Sequence, residues 1–302
     1  MKILTSTSSF ADHDRAPLDR LINAGFEVVQ NPYKRKLTKQ ETLELLPGVV
    51  GSIAGLESLD REVLEKSSLK VISRVGVGLS NIDLKAAEEL GIAVCSTPDA
   101  PTNAVAELTI AGILDLLRNV SVMNESLHKG VWSRQQGLNL QGKTVLIIGF
   151  GRIGQRVAQL LKSFGVKLLI VDPLVEEVSD GQLISLEEGL VAADIVTLHC
   201  SGEKSILGEK EFSIIKKGAY IVNIARGELI DETVLIKAIE NGIIAGAFLD
   251  TFIKEPYEGP LAKYPQVLMT PHTGSFTKEC RSQMEMEAVN NLLAALNIKV
   301  AQ

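Results

Sequence analysis

One segment limits the folds open to this chain more than any other. The run KTVLIIGFGRIGQRVAQLL, residues 143–161, places Gly149, Gly151 and Gly154 in the pattern G-x-G-x-x-G. The motif follows a continuous apolar run and opens a stretch of helical periodicity, which is the context that a dinucleotide-binding β-α-β unit requires. The first glycine permits a tight turn, the second lets the backbone approach a pyrophosphate, and the third lets the helix pack closely on the strand. The chain is therefore predicted to contain a parallel sheet with crossover helices.

A carboxylate follows the motif at a suitable distance. The apolar run KLLIVDP ends at Asp172, about 20 residues beyond the last glycine, where an acidic side chain can accept hydrogen bonds from the adenosine ribose. Because this charge repels a 2′-phosphate, we expect NAD rather than NADP as the cofactor. The phosphates should lie at the helix start, beside Arg152 and Ile153. The alternative is a tight turn beside an ordinary strand-end aspartate.

The alternation of short apolar runs and helical stretches extends over most of the chain. Its 302 residues correspond to about two domains, so we predict an α/β fold with two doubly wound units. The turn-rich segment STPDAPT, residues 96–102, is a candidate hinge. The predicted strands are Lys2–Leu4, Glu27–Val29, Val49–Ile53, Val71–Val75, Ile92–Cys95, Thr144–Ile148, Leu168–Val171, Ile195–His199, Tyr220–Asn223, Ala245–Leu249 and Val267–Thr270. The predicted helices are Ala16–Ala24, Leu84–Leu90, Asn103–Leu117 and Lys278–Leu296, the last packing back on the first unit.

Composition excludes several classes of protein. The chain has 37 acidic and 31 basic residues, a net charge of −6, whereas a nucleic-acid binder normally carries a basic excess. No apolar stretch approaches the ~20 residues of a membrane span. The three cysteines are far apart, so neither a disulfide scaffold nor a metal site is expected. The N-terminal apolar run is too short for a signal peptide, and we expect a cytoplasmic protein.

Three polar residues follow predicted strands of the second unit. Arg226 follows AYIVNIA, Glu255 lies in the loop after IAGAFLD, and His272 follows VLMTP. Ligands of open α/β sheets bind outside the carboxyl ends of the strands, so these side chains can converge on one ligand. Reduction of a 2-keto acid suits them: histidine supplies the proton, a carboxylate orients the imidazole, and arginine binds the substrate carboxylate and polarises the keto oxygen. Taken singly, each has a structural alternative: a structural histidine, a surface ion pair or a turn residue.

Several ordered motifs together resemble the D-isomer-specific 2-hydroxyacid dehydrogenase family, in particular its phosphoglycerate dehydrogenase-like branch. The motifs are SRVGVGLSNIDLKAA (73–87), TNAVAELT (102–109), GKTVLIIGFGRIG (142–154), NIARGELIDE (223–232), AGAFLDTFIKEP (245–256) and TPHTGSFT (270–277). The resemblance implies a flavodoxin-like substrate-binding domain, residues 1–98 plus 278–302, and a Rossmann NAD-binding domain, residues 99–277, with a cleft between them. It also implies a homodimer joined through the cofactor domain and the region around residues 103–140.

The resemblance assigns roles to single residues. Arg226, Glu255 and His272 match the family's catalytic set, and Val77 and Gly78 match the loop whose backbone N–H groups hold the substrate carboxylate. Asp250 matches a position near the nicotinamide, and the expected cofactor-binding set also includes Ala225.

The substrate is predicted to be a small anionic 2-hydroxy or 2-keto acid. Arg74 matches a phosphate contact of phosphoglycerate dehydrogenases, but the segment SIAGLESLD (52–60) lacks the basic residues common there and has Glu57 instead. The loop LHCSGEKSILG (198–208) also departs from the family pattern near the cofactor. The alternatives are a hydroxypyruvate, glyoxylate or other 2-keto acid reductase, and a non-catalytic NADH-sensing protein. Since the chain ends at Gln302, we expect no regulatory domain like that of longer phosphoglycerate dehydrogenases.

Overall fold

The chain divides into two compact units. In the computed structural model, which describes residues 1–202 and 204–297, one unit comprises Met1–Pro101 with the segment from Phe276 onward, and the other comprises Thr102–Ser275. The domain limits predicted from the sequence were 1–98 plus 278–302, and 99–277. Residues 298–302 of that prediction lie outside the described residues. The assignment of substrate binding to the first unit and cofactor binding to the second stays a prediction.

The first unit is built on a parallel sheet. Within the described residues, its strands are β1 (Lys2–Thr5), β2 (Glu27–Gln30), β3 (Val49–Ala54), β4 (Val71–Arg74) and β5 (Ala93–Cys95). They are ordered β2-β1-β3-β4-β5 with every pair parallel. This is the flavodoxin-like order of a doubly wound sheet.

Helices flank this sheet. They are α1 (Ala16–Asn23), α2 (Lys39–Leu45), α3 (Arg61–Glu65) and α4 (Leu84–Glu89). The side chains of Thr38, Asp60 and Asp83 each accept a backbone N–H of the first helical turn, which satisfies donors that a helix start leaves open. Helices α2 and α3 were not predicted from the sequence, because both are short.

The second unit is built on a longer parallel sheet. Within the described residues, its strands are β6 (Thr144–Ile148), β7 (Lys167–Val171), β8 (Gln182–Leu183), β9 (Ile195–Leu198), β10 (Ala219–Asn223), β11 (Ile244–Leu249) and β12 (Val267–Met269). They are ordered β12-β11-β10-β9-β6-β7-β8, again with every pair parallel. This is the Rossmann order with one additional strand. The predicted α/β class with two doubly wound sheets is confirmed.

Helices cover the second sheet as parallel pairing requires. They are α5 (Pro101–Arg118), α6 (Val120–His128), α7 (Arg152–Lys162), α8 (Leu186–Ala192), α9 (Glu209–Ile214) and α10 (Glu232–Glu240), with short 3₁₀ turns at Gly227–Leu229 and Pro260–Lys263. Helix α5 begins two residues before the predicted Asn103, because proline is well suited to the first position of a helix. No helix in the described part of the chain is both long and apolar enough to cross a membrane.

The C-terminal helix α11 (Lys278–Ala295) packs in the first unit. Its residues Met284, Val289 and Leu292 are buried. A Cβ built on Gly51 of β3 would lie 3.1 Å from Leu292 Cδ1, so the helix and the sheet are in close contact there. Asn291 Nδ2 also donates to the carbonyl of Ser96 at 2.9 Å. Helix α11 is therefore part of the first unit's core.

This packing predicts an unequal cost for two leucine truncations. Leu292 is fully buried, whereas Leu84 on α4 is 48% exposed. We expect Leu292→Ala to lower the apparent free energy of unfolding by about 2–5 kcal/mol. Leu84→Ala should change it by about 0.5 kcal/mol. Urea denaturation followed by circular dichroism measures both, and equal effects would contradict the packing described for α11.

Candidate active site

The glycine-rich motif forms a tight turn between β6 and α7. Gly149 has a φ of +94°, a backbone conformation that favours glycine. A Cβ at this position would lie 2.7 Å from Cys200 Cα, so the turn also runs against the end of β9. The Gly149 N–H donates to the Val171 carbonyl at 2.8 Å. The motif therefore folds as predicted, at the point where the strand order reverses between β6 and β9.

The other two glycines of the motif have different surroundings. A Cβ on Gly154 would overlap the Gly149 carbonyl oxygen, so the helix packs on the turn only without a side chain there. Nothing lies within 4 Å of the position of a Gly151 Cβ. Gly151 caps the start of α7, where unsatisfied N–H groups favour an anion. This arrangement fits a pyrophosphate, with Arg152 and Ile153 in the first turn.

Asp172 lies at the carboxyl end of β7, beside the glycine turn. Its Oδ2 accepts the Phe150 N–H at 2.6 Å, and its Oδ1 accepts the Leu174 N–H at 2.8 Å. The carboxylate is therefore fixed next to the turn on which a nucleotide would lie. Each oxygen keeps a further lone pair for a ribose hydroxyl.

The three candidate catalytic residues follow adjacent strands, at the same edge of the second sheet. Arg226 follows β10, Glu255 follows β11 and His272 follows β12, and these strands are neighbours in the order β12-β11-β10. Arg226 is exposed, and its Nη1 donates to the Ala225 carbonyl at 2.7 Å. The sheet order thus brings the predicted cation, carboxylate and imidazole to one edge.

Glu255 and His272 form a direct pair. Glu255 Oε2 lies 2.9 Å from His272 Nδ1, and Glu255 Oε1 accepts the Phe252 N–H at 3.0 Å. The His272 side chain is 51% exposed and that of Glu255 37% exposed, so both are open to a ligand. Because a carboxylate only accepts, Nδ1 carries a proton and Nε2 is left to exchange one. This is the arrangement of a general acid–base histidine.

The side chain of Asp250 fixes the loop that carries His272. Its carboxylate is fully buried. It accepts the N–H groups of Thr273 and Gly274, each at 2.8 Å, and the hydroxyls of Thr270 and Thr273. The Asp250 carbonyl accepts the N–H of His272 at 2.9 Å, and His272 adopts a left-handed φ of +53°. The predicted role of Asp250 near the nicotinamide stays a prediction, while its contacts make it a positioning residue for His272.

Asn223 is a second positioning residue, and it was not predicted from the sequence. It is buried at the end of β10, where its Nδ2 donates to the Arg226 carbonyl at 2.7 Å and its Oδ1 accepts the Ala225 N–H at 3.0 Å. An asparagine before a turn often bonds the backbone two residues on, and this signal was available in NIARGELIDE.

The loop 198–208, which departs from the family pattern, has a neutral histidine at position 199, directly after β9. Burial lowers the pKa of His199 to about 3. Its Nε2 pairs with Thr197 Oγ1 at 2.9 Å. Burial also raises the pKa of the Cys200 thiol, which lies against the glycine turn. Neither residue adds charge beside the candidate nucleotide site; Glu203 lies outside the described residues.

The candidate substrate-binding residues of the first unit lie at the end of β4 and in the loop that follows it. Arg74 ends β4, and Val77 and Gly78 follow it, with Val77 46% exposed. The loop is fixed because the Gly76 N–H donates to Thr97 Oγ1 at 2.7 Å and the Thr97 N–H donates back to the Gly76 carbonyl at 3.0 Å.

Comparison with known proteins decides the family. Residues 110–274 match the family described as D-isomer specific 2-hydroxyacid dehydrogenase, NAD binding domain. The chain belongs to this family. The predicted resemblance is thereby confirmed, and the glycine turn and Asp172 lie within the family's NAD-binding domain.

The relatives are named for more than one substrate. D-3-phosphoglycerate dehydrogenase of Methanocaldococcus jannaschii is 40% identical over 81% of this chain and 49% of that protein. Glyoxylate reductase of Thermococcus litoralis is 36% identical over 79% of this chain and 77% of that protein. The solved structure of TT0316 protein from Thermus thermophilus has a TM-score of 0.89 at 36% identity, over 98% of this chain and 97% of that one. The chain spans about half the length of the phosphoglycerate dehydrogenases that it matches.

The glycine turn predicts different outcomes for two matched substitutions. In Gly149→Ala the new methyl group meets Cys200 and a left-handed backbone, so we expect a loss of stability of about 1–3 kcal/mol. In Gly151→Ala the methyl group meets open space, so the melting temperature of the free protein should not change. NADH affinity should nevertheless fall about tenfold, because the methyl group keeps a pyrophosphate away from the backbone.

Thermal melts and NADH fluorescence titrations separate these outcomes. Normal NADH affinity in Gly151→Ala would contradict the placement of the pyrophosphate at this turn.

Proposed function

We propose that this chain is an NAD-dependent D-2-hydroxyacid dehydrogenase, which interconverts a small 2-hydroxy acid and its 2-keto acid. The observation that carries the proposal is the 2.9 Å pair between Glu255 and His272 at the carboxyl edge of the sheet that also carries the glycine turn. The glycine turn accounts only for dinucleotide binding. An exposed histidine at the same edge, oriented by a carboxylate, adds a proton donor. Family membership supports the same chemistry.

His272, Glu255 and Arg226 have separate roles in the reduction. The glycine turn and Asp172 would hold NADH, which would supply the hydride that C2 of the keto acid receives. His272 Nε2 gives its proton to the oxygen at C2, which becomes the hydroxyl, and Glu255 stabilises the imidazolium before the transfer. Arg226 binds the substrate carboxylate and stabilises the charge that develops on the keto oxygen. The sum is one keto acid, one NADH and one proton converted to one hydroxy acid and one NAD⁺; oxidation reverses each step.

The finer prediction is a phosphoglycerate dehydrogenase-like activity. The Methanocaldococcus jannaschii relative and the match of Arg74 to a phosphate contact support it. The second candidate is a hydroxypyruvate or glyoxylate reductase, which the Thermococcus litoralis relative supports.

A non-catalytic NADH sensor is the alternative from another class. A sensor needs the glycine turn but has no need for a proton donor beside it. The intact Glu255–His272 pair therefore favours an enzyme.

The proposed assembly is a homodimer. Apolar side chains on and just beyond α6 are exposed, namely Val120, Leu127, Val131 and Trp132, which is 82% exposed. Exposed apolar groups clustered in one segment are typical of a subunit interface. A second copy of this chain is the partner that the family resemblance implies.

The acid–base assignment predicts the behaviour of two variants. His272→Asn should lower kcat/KM for 2-keto acids by about 10²–10⁴-fold, because the proton donor is lost. Its NADH affinity should stay nearly unchanged. Glu258→Gln changes an exposed glutamate on the loop that carries Glu255 and serves as the control, with normal turnover expected.

The measurement is the loss of NADH absorbance across a panel of 2-keto acids, with NADH binding followed by fluorescence. Near-normal turnover by His272→Asn would show that the proton comes from another group. Binding of NADH by the wild type without turnover of any acid would support the sensor.

A further inference from the structure

The loop that carries Glu255 is exposed along most of its length. Of the described residues 253–258, Tyr257 alone is half-buried and the others are exposed. The beginning of the loop lies against its neighbour, because a Cβ built on Gly227 would be 2.2 Å from the carbonyl carbon of Phe252. Beyond that point, Tyr257 is the residue of this stretch that packs against the core of the second unit.

The hydroxyl of Tyr257 fixes the loop to the start of α10. Its Oη donates to Glu232 Oε1 at 2.8 Å and accepts the Leu261 N–H at 3.1 Å. Burial raises the pKa of Tyr257 to about 12, and the bond to Glu232 adds to the shift, so the hydroxyl stays protonated and can donate. A Cβ on Gly259 would overlap this hydroxyl, so the glycine leaves room for the tyrosine ring.

The ring of Tyr257 connects this anchor to the candidate acid–base pair. It stacks on the ring of Phe252, with the two centroids 4.3 Å apart. The Phe252 N–H donates to Glu255 Oε1 at 3.0 Å, and Oε2 of the same carboxylate lies 2.9 Å from His272 Nδ1. A continuous set of contacts therefore runs from Glu232 to the imidazole.

The exposure of the acid–base pair explains why such an anchor matters. The Glu255 side chain is 37% exposed and that of His272 is 51% exposed. An ion pair this open to water gains little free energy of its own, so it does not hold two flexible side chains in one geometry. The geometry has to come from the loops that carry the pair. Asp250 fixes the loop of His272, and the contacts of Tyr257 provide the corresponding support for Glu255.

We propose that Tyr257 is a positioning residue, which holds the Glu255 carboxylate against His272 by anchoring its loop to Glu232 at the start of α10. The inference rests on the dehydrogenase function proposed above and adds a residue to the same site. Because Tyr257 acts through Glu255, its loss should slow proton transfer more than it weakens substrate binding.

The first test removes one tyrosine hydroxyl at each end of α10. Tyr257→Phe deletes the hydroxyl bonded to Glu232 and keeps the ring. Tyr264→Phe is the matched control, because it deletes a hydroxyl that donates to Glu240, the last residue of the helix, at 2.6 Å. The single-turnover rate of NADH oxidation is measured with the 2-keto acid that the wild type reduces fastest, together with the acid concentration that gives half the maximal rate.

The two tyrosine variants should differ in the rate. We expect Tyr257→Phe to lower the single-turnover rate about tenfold and to change the half-saturating concentration less than about twofold, because a displaced proton donor slows the transfer. Tyr264→Phe should leave both quantities unchanged. A loss of rate of the same size in both variants would contradict the inference.

Two changes of Glu232 test the other partner of the anchor. Glu232→Ala removes the acceptor, so the rate should fall as it does in Tyr257→Phe. Glu232→Gln keeps a carbonyl oxygen that can accept the hydroxyl, so it should restore most of the rate lost in Glu232→Ala. Equal losses in the two variants would show that the charge at the start of α10 matters rather than the anchor, and would contradict the inference.

A double-mutant cycle tests whether Tyr257 acts through Glu255. Changes at two residues that act through one another are not additive. Glu255→Gln alone should lower the rate, and adding Tyr257→Phe should lower it by less than about twofold further. A full additional loss in the double variant would show an effect on the rate that does not pass through Glu255.

A spectroscopic signal separates failure of this inference from failure of the proposed function. A ring N–H of His272 that is bonded to Glu255 is protected from exchange with water, and its proton signal is recorded in protein that contains isotope-labelled histidine. His272→Asn assigns the signal by its loss. We expect the signal to be lost in Tyr257→Phe and to persist in Tyr264→Phe. This pattern in a protein that turns over no acid would contradict the proposed function and support the role of Tyr257.

Two further results would overturn the inference. The first is a wild-type rate together with a wild-type signal in Tyr257→Phe. The second is loss of the signal in both tyrosine variants, since that would reflect a general effect on the unit. If Tyr257→Phe fails to fold, the rate and the signal in Glu232→Ala and Glu232→Gln decide the question in the same way.

Discussion

Every described strand pair is parallel, and this pairing decides where the chemistry of the chain can lie. A parallel strand is followed by a crossover, so the loops that leave the carboxyl ends of the strands gather at one edge of each sheet. In the second unit this edge carries the glycine turn, Asp172 and the Glu255–His272 pair. In the first unit it brings Glu57, which follows β3, into contact with Ser6, which follows β1.

The exposed candidate catalytic residues are held in place by buried polar residues. His272 is half-exposed, but its loop is held by the fully buried Asp250 carboxylate. Arg226 is exposed, but its backbone is held by the buried Asn223. Each of these two residues makes its hydrogen bonds to the loop that it supports, so little reorganisation is needed when a ligand binds. Such preorganisation is what allows a small set of side chains to stabilise a transition state.

Local patterns predicted the elements that carry strong periodicity, and weaker signals were missed. The run before Gly149 and the acid at Asp172 lie where they were expected, because a glycine turn after an apolar run has few alternatives. Short elements such as β8 carry too few residues for a pattern to show. The contacts of Asp250 with Thr270 and of Glu57 with Ser6 could not be predicted, because they join residues 20 and 51 positions apart that only the folded sheets bring together.

The central claim is that a hydride passes to C2 of a 2-keto acid while His272 supplies the proton. The most direct measurement uses NADH carrying deuterium at C4 of the nicotinamide, with hydroxypyruvate as acceptor, and analyses the glycerate product by mass spectrometry and chiral chromatography. The account predicts deuterium at C2 of D-glycerate. Glycerate of the L configuration would contradict the account. D-glycerate that carries no deuterium with either C4-labelled form of NADH would contradict it as well.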